Sequence, residues 1–472
     1  PDPQQPLTFL FRSEDEPYGL SELVLVLHED SPGELRTRGL DAPSEELDLG
    51  DGRRALVFRA EKIDRLPTER ATPPVQELVP VAGWGEDGAM GAVARASRRA
   101  LVRATRPSLQ VRRTTEEALA GVEDPAAKVL ALHEHCHREV RDGSSSSPTE
   151  TVLRGQGDRF GLFVSMLRAA GIPHRLGFAE GEREELGSGE APLFDQDDPF
   201  QVPCAVVPVP GREPLWFFAD APRYYPAGWV QGSRFGARAL LCDEDGFELV
   251  RVPQSAEAWS QSFTARGTAT VGNRGNVTLD VEVSFAGAAG FGIADALRER
   301  PADEQKQISR QVAQQLLPGW QLSLAEARDL EPVGKPVVFR VRATRRALQQ
   351  AADGKTLLQL PLPRGSYVPS FGDRSKRTLP MRLPAELHAR WEVELVTGPD
   401  LEVANLPGAV VVSEGTFDYG LVVRPGAKGL RIERTFSLRP TTIPPQRFGD
   451  WMRALAAADR GDETVVELRA TR

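Results

Sequence analysis

Lysine and cysteine are the scarce residues in this 472-residue chain, and each shortage excludes something. Only seven of the 58 basic residues are lysine, and the arginines are scattered rather than gathered into a stripe interleaved with aromatics. A nucleic-acid surface is therefore not expected. The three cysteines, Cys136, Cys204 and Cys242, are odd in number and widely spaced. They form neither a disulfide framework nor the paired spacing of a zinc site. No apolar run is long enough to cross a bilayer, so no transmembrane segment is predicted. The opening residues, Pro1-Asp2-Pro3-Gln4-Gln5-Pro6, have no charged n-region and no apolar h-region, so no signal peptide is expected in the chain as it stands. No tandem repeat of fixed period is found either.

What remains is the composition of a folded protein, 40% hydrophobic and 26% charged, with a dispersed net charge of -9. The length predicts two to four units. Short strand-like runs, Leu7–Phe11, Glu22–His28 and Ala55–Ala60, predict a β-rich module over residues 1–88. From Met90 to Arg106 the pattern turns helical. Asp124-Pro125 then opens a helix with Ala126, Val129, Leu132, Cys136 and Val140 on one stripe. A second helix, Phe160–Ala170, is apolar nearly all round, as a central buried helix would be. Two strands follow the acidic stretch Glu180–Asp198, at Cys204–Val209 and Leu215–Ala219.

Beyond Phe263 the pattern is mostly β: Thr268–Val271, Val277–Phe285, Val337–Ala343, Trp391–Leu395 and Leu430–Leu438. A helical insertion at Ala294–Leu317 interrupts it, and a short helix at Phe448–Ala457 precedes a last strand, Thr464–Leu468. The expected class is α+β multidomain. It comprises the β-rich module, an α+β core over 89–258, and an antiparallel β-sandwich region with a helical insertion over 259–472. Division of that last region into 259–375 and 376–472 is left open.

The stretch Leu153-Arg154-Gly155-Gln156-Gly157-Asp158 running through Leu167-Arg168-Ala169-Ala170-Gly171-Ile172-Pro173 resembles the core motif of the transglutaminase-like, papain-like superfamily. In that family a Gly-x-Cys-x-Asp turn leads into a buried helix. Counting back from Gly171 without a gap, the resemblance places the nucleophile on Gln156 and keeps the acid at Asp158. It places the histidine on Cys204 and the aspartate on Asp220, at the end of Trp216-Phe217-Phe218-Ala219. The triad is thus degenerate, with cysteine and histidine both replaced. The segment Tyr224–Trp229 and residues 380–470 are similar to parts of a bacterial subgroup that carries an upstream β-rich domain of unknown function and a C-terminal β-sandwich. Residues 1–88 resemble only the latter half of that upstream domain.

The resemblance implies a pseudoenzyme: a scaffold or binding protein for a protein or peptide partner, in the periplasm or at a cell surface, with no cofactor. Arg154, Asp158, Arg159, Tyr224 and Trp229 would line the former cleft. Asp158 also reads as an N-terminal cap, and Asp220 as an acceptor for backbone or arginine groups. Two alternatives stay open. Cys204 could serve as a relocated nucleophile with His174, although a cysteine in an apolar strand is usually inert core. His133 and His137, four apart on a helix, have a metal-chelating spacing but no evident third ligand, and otherwise form a solvated helix flank.

Overall fold

The computed structural model describes residues 7–471 apart from 14, 41, 74, 86–89, 146, 181–199, 222, 224, 231–233, 235, 244–245, 254–260, 273–274, 299, 329, 331–333, 351–355, 364–366, 372–375, 384–385 and 399. It is an α+β, multi-sheet, strand-rich protein. Among the described residues no helix is long and apolar enough to cross a membrane. The chain divides into two compact units. One is Pro1–Ala221 with Ala227–Gln254 and Thr378–Arg382; the other is Pro222–Pro226 with Ser255–Arg377 and Leu383–Arg472. The expected boundary between the N-terminal module and the core is therefore internal to the first unit.

The first unit begins with two three-stranded antiparallel sheets. They are built from β1 (Leu7–Leu10), β2 (Tyr18–His28), β3 (Glu34–Arg38), β4 (Glu45–Gly50), β5 (Arg53–Ile63) and, after a short helix α1 (Val75–Leu78), β6 (Val81–Gly85). Strand orders are β1-β6-β3 and β2-β5-β4. Strict alternation in β2 buries Leu23, Leu25 and Leu27 while Glu22, Val24 and Val26 face outward. The buried leucines meet Leu56 and Phe58 of β5 and Ala82 and Trp84 of β6 in one core. The distant segment Thr378–Arg382 is fastened to this unit by Glu69, whose carboxylate accepts the Thr378 N–H at 3.0 Å, and by a Glu77–Arg382 ion pair. Leu379 adds to a small core with Leu66, Val79 and Val81. Nothing in the local sequence pattern signals this return of the chain.

Five helices follow: α2 (Met90–Ala104), α3 (Leu109–Ala118), α4 (Pro125–Glu139), α5 (Pro148–Arg154) and α6 (Arg159–Ala169). The sheet beside them contains β7 (Arg175–Ala179), β8 (Val202–Val207), β9 (Leu215–Phe218), β10 (Arg238–Cys242) and β11 (Phe247–Arg251), all antiparallel, in the order β11-β10-β7-β8-β9. Asp124 caps α4, its carboxylate accepting the Ala127 N–H at 2.7 Å, with Pro125 in the first turn. Helix α6 is buried on every side from Phe160 to Leu167. It packs with Val129, Leu132 and Cys136 of α4 and with Leu176, Ala205, Val207 and Phe217 of the sheet.

The second unit is organised on an eight-stranded sheet. Its elements are β12 (Gln261–Val271), β13 (Asn276–Ala286), α7 (Gly287–Arg298), α8 (Ala302–Leu316), β14 (Gln321–Arg328), β15 (Val337–Arg346), β16 (Leu348–Gln350), β17 (Thr356–Gln359), α9 (Tyr367–Phe371), β18 (Met381–Leu383, of which only Leu383 belongs to this unit), β19 (Leu387–Val396), β20 (Leu401–Asn405), β21 (Val410–Ser413), β22 (Phe417–Gly426), β23 (Gly429–Leu438), β24 (Thr441–Ile443), α10 (Pro445–Asp462) and β25 (Val465–Ala470). The sheet order is β14-β15-β13-β12-β19-β23-β22-β21, and β12 pairs with β19 in parallel from Gln261↔Leu387 to Thr270↔Val396. That pair corrects two expectations: the region is not wholly antiparallel, and its halves share one sheet rather than dividing at 375. The helical insertion is two helices rather than one, and the last helix is longer than its apolar pattern suggested.

One face of this sheet is apolar, through Leu279, Val281, Val283, Phe339, Val341, Trp391 and Val393. The other face sets opposite charges side by side. Arg266 pairs with Glu392 at 3.0 Å, and Arg390 bonds Glu433 at 2.6 Å. Neighbouring strands thus stabilise one another through cross-strand pairs without burying that face. At the other end of the unit, Arg434 and Asp462 form a buried ion pair at 2.9 Å, and Tyr419 donates to Asp462 at 2.8 Å. This fastens α10 to strands β22 and β23. Gly461 is required there, because a Cβ would lie 2.7 Å from the Tyr419 hydroxyl oxygen.

Candidate functional site

The turn into α6 is shaped by two glycines. Gly155 ends α5 in the left-handed region (φ 63), and Gly157 takes φ 143. A Cβ on Gly157 would fall 2.5 Å from Thr151 Oγ1 and 2.7 Å from the Ser145 carbonyl oxygen, so only glycine fits. The backbone here is tied down. Arg141 N–H donates to the Gly155 carbonyl at 2.9 Å, Gly157 N–H to the Arg141 carbonyl at 2.9 Å, and Asp158 N–H to the Ser145 carbonyl at 2.8 Å. Asp158 then caps α6, accepting the Gly161 N–H at 2.9 Å.

Gln156 projects from the middle of this turn and is exposed. An amide has neither a nucleophilic nor a titrating state near neutral pH, so Gln156 itself presents hydrogen-bonding groups only.

Cys204 packs on a different face of the sheet. Strand alternation in β8 points Ala205 and Val207 toward α6. Cys204 and Val206 point to the opposite face, into a core with Ala179, Trp216, Phe218, Ala239 and Leu241. The sheet therefore separates Cys204 from the α6 turn. Its thiol is fully buried, and burial pushes its pKa up, Cys242 adding to the shift and Arg234 opposing it. Cys136, whose Sγ lies 3.6 Å from Met166 Sδ, is raised by burial in the same way, and Cys242 is buried too. His174 is held elsewhere: its Nδ1 lies 2.8 Å from the Ile172 carbonyl, which can only accept, so Nδ1 carries the proton.

Asp220 is engaged. Its carboxylate is bonded by Arg234, whose guanidinium is 1% exposed, lies 4.8 Å over the Phe218 ring and also donates to the Glu180 carbonyl at 3.2 Å. Glu180 itself forms a buried ion pair with Arg238 at 2.8 Å. Glu180, the first residue of the acidic stretch, is core; residues 181–199 lie outside the described residues. Arg159 turns to Asp142, and the exposed Arg154 stands 3.8 Å from Glu150. Trp229 is buried rather than lining a cleft, and Tyr224 lies outside the described residues.

His133 and His137 also depart from expectation. Both are buried, not a solvated flank, because the side of α4 that carries them faces α6 and β9. Their rings are 3.9 Å apart, and His133 stands edge-on to Phe163 at 5.8 Å. Burial, helped by nearby Arg159, pushes the His133 pKa down to about 3, so the ring is neutral at ordinary pH. Among the described residues no group of three or more His, Cys, Asp or Glu is placed to hold a metal ion.

No family model matches the chain, and no curated protein does. Among solved structures, a protein from Parabacteroides distasonis ATCC 8503 named a “putative protease” superposes with a TM-score of 0.56, at 13% identity, over 100% of this chain and 76% of that one. A “putative cysteine protease” from Cytophaga hutchinsonii matches with a TM-score of 0.18, at 16% identity, over 46% of this chain and 71% of that one. The first likeness is one of fold. The second, at that score, carries no argument.

The residues that sequence reasoning missed are Arg234, Glu180 and Arg238. The available signal was an arginine directly abutting the apolar run Ala239-Leu240-Leu241: a guanidinium buried there requires a carboxylate partner. Which carboxylate serves it is set by the β7–β10 pairing, Ala179↔Ala239, and no local pattern reveals that.

Proposed function

We propose that the chain is a non-catalytic, transglutaminase-like scaffold that binds a protein or peptide in the periplasm or at the surface of a bacterial cell. The observation that carries the reading is the exposed turn ahead of α6, where Gln156 occupies the position that the motif assigns to a thiol. The burial of all three cysteines, and the placement of Cys204 across the sheet from that turn, support it. The engagement of Asp220 by Arg234 supports it as well, since a carboxylate so held has a structural partner. The fold likeness to a protein named a protease favours a peptide as the ligand class, and the setting of the superfamily's bacterial members favours the envelope; both supports are analogical.

The test is a rebuilt thiol. Gln156→Cys should be alkylated by iodoacetamide in the folded protein, because position 156 is exposed, and should still turn over no peptide substrate, because no imidazole is supplied to it. Peptide cleavage or acyl transfer by the unaltered chain, lost on Gln156→Ala, would overturn the reading.

A further inference from the structure

On the charged face of the eight-stranded sheet, Glu392 of β19 stands directly opposite Glu433 of β23. Two like charges so placed repel. Here the chain itself supplies the counter-charge. One Arg390 nitrogen lies 2.5 Å from a Glu392 oxygen and 2.6 Å from a Glu433 oxygen, and the second Glu392 oxygen takes Arg266 at 3.0 Å.

Two residues along β23, and so on the same face, the arrangement recurs with its sign reversed. Arg431 stands directly opposite Arg424 of β22. Both are exposed, and among the described residues neither guanidinium makes an ion pair or a hydrogen bond. The edge strand β21 reaches only to Val410, opposite Leu421, and so brings no side chain alongside Arg424. The turn between the strands, Pro425-Gly426-Ala427-Lys428-Gly429, adds a third cation and no acid. The carboxylate in register is Glu394 of β19, across from Arg431, and among the described residues it makes no ion pair either.

Arg431 and Glu394 line a groove of about 460 Å³, together with Arg266 and the turn residues Pro425 to Ala427. That is the size of a small-ligand site and far more than a bare anion fills. We infer that the groove binds a phosphate monoester, its phosphoryl group bridging Arg431 and Arg424 as Arg390 bridges the two glutamates. A phosphoryl dianion has two charges and three terminal oxygens, enough to accept from both guanidinium forks. A carboxylate has one charge and two oxygens, and satisfies one. The organic part of the ester lies between Arg266 and the turn. This goes beyond the scaffold reading and uses none of the residues around α6, so either can fail without the other.

The experiment is isothermal titration of the full chain with inorganic phosphate, glycerol phosphate and acetate at matched ionic strength. Both phosphates should bind, glycerol phosphate at least as tightly, and acetate should bind at least roughly tenfold more weakly. Arg424→Gln and Arg431→Gln should each weaken phosphate by roughly ten- to a hundredfold. Glu394→Gln, which removes the acid facing Arg431, should tighten it. The two arginines are exposed and make no bond within the chain, so their variants should fold as the parent does, and circular dichroism checks this. No heat from either phosphate, equal affinity for acetate, unchanged binding in both arginine variants, or weaker binding in Glu394→Gln overturns the proposal. Glycerol phosphate binding more weakly than inorganic phosphate overturns the monoester.

Discussion

The Arg234 guanidinium bonds the Asp220 carboxylate through Nη2 and the Glu180 carbonyl through Nη1. It thereby joins the end of β9 to the end of β7. Asp220 therefore has structural work that needs no histidine beside it. Arg234 is buried and Asp220 is half-exposed, so removing the carboxylate leaves a sequestered cation without its anion. Asp220→Ala should destabilise the protein by roughly 1–3 kcal/mol, below the cost of breaking a fully buried pair. A shift in the urea midpoint at constant slope is the readout.

The Glu180–Arg238 pair is buried on both sides, and Glu180 also accepts the Arg238 backbone N–H at 2.9 Å. Glu180→Ala removes both bonds at once. It should cost about 3–5 kcal/mol, while the double change Glu180→Leu with Arg238→Met should recover much of that loss. A double variant no more stable than Glu180→Ala alone would mean that the pair does more than neutralise buried charge.

These two pairs mark where the sequence is readable and where it is not. Helix α6 and its cap Asp158 are legible because capping and an all-apolar stripe are local properties. The strands of the second unit are legible because alternation is local too. The sides of the sheet that Cys204 and Ala205 face were not legible, because alternation says that neighbours differ without saying which one meets α6. Pairing over long separations was equally hidden, as with β12 against β19 or Glu69 against Thr378. His133 was misread because an imidazole tolerates both water and core, and the packing of α4 on α6 decides between them.

That packing has a pH consequence. The folded-state pKa of His133 is depressed to about 3, while in the unfolded chain it is near 6.5. Between those values the unfolded chain binds the extra proton, so stability falls as pH drops below about 6.5 and this contribution is intact above it. The loss from this residue between pH 7 and pH 5 should be roughly 2 kcal/mol. His133→Leu should flatten the difference in urea midpoint between the two pH values; an unchanged difference would show that His133 is not its source.

In the second unit the Arg434–Asp462–Tyr419 cluster predicts graded effects. Tyr419→Phe removes one hydrogen bond and should cost about 1 kcal/mol. Asp462→Ala strands a buried guanidinium and should cost about 3–5 kcal/mol. Equal costs, measured by urea unfolding, would mean that the ion pair contributes nothing beyond the hydroxyl bond.

The central claim is that the turn ahead of α6 carries no working nucleophile. The most direct test is turnover of a fluorogenic peptide substrate by the unaltered chain, beside Gln156→Ala and Cys204→Ala. The account predicts the same rate for all three, equal to buffer alone. A rate above buffer that disappears in either variant would contradict it.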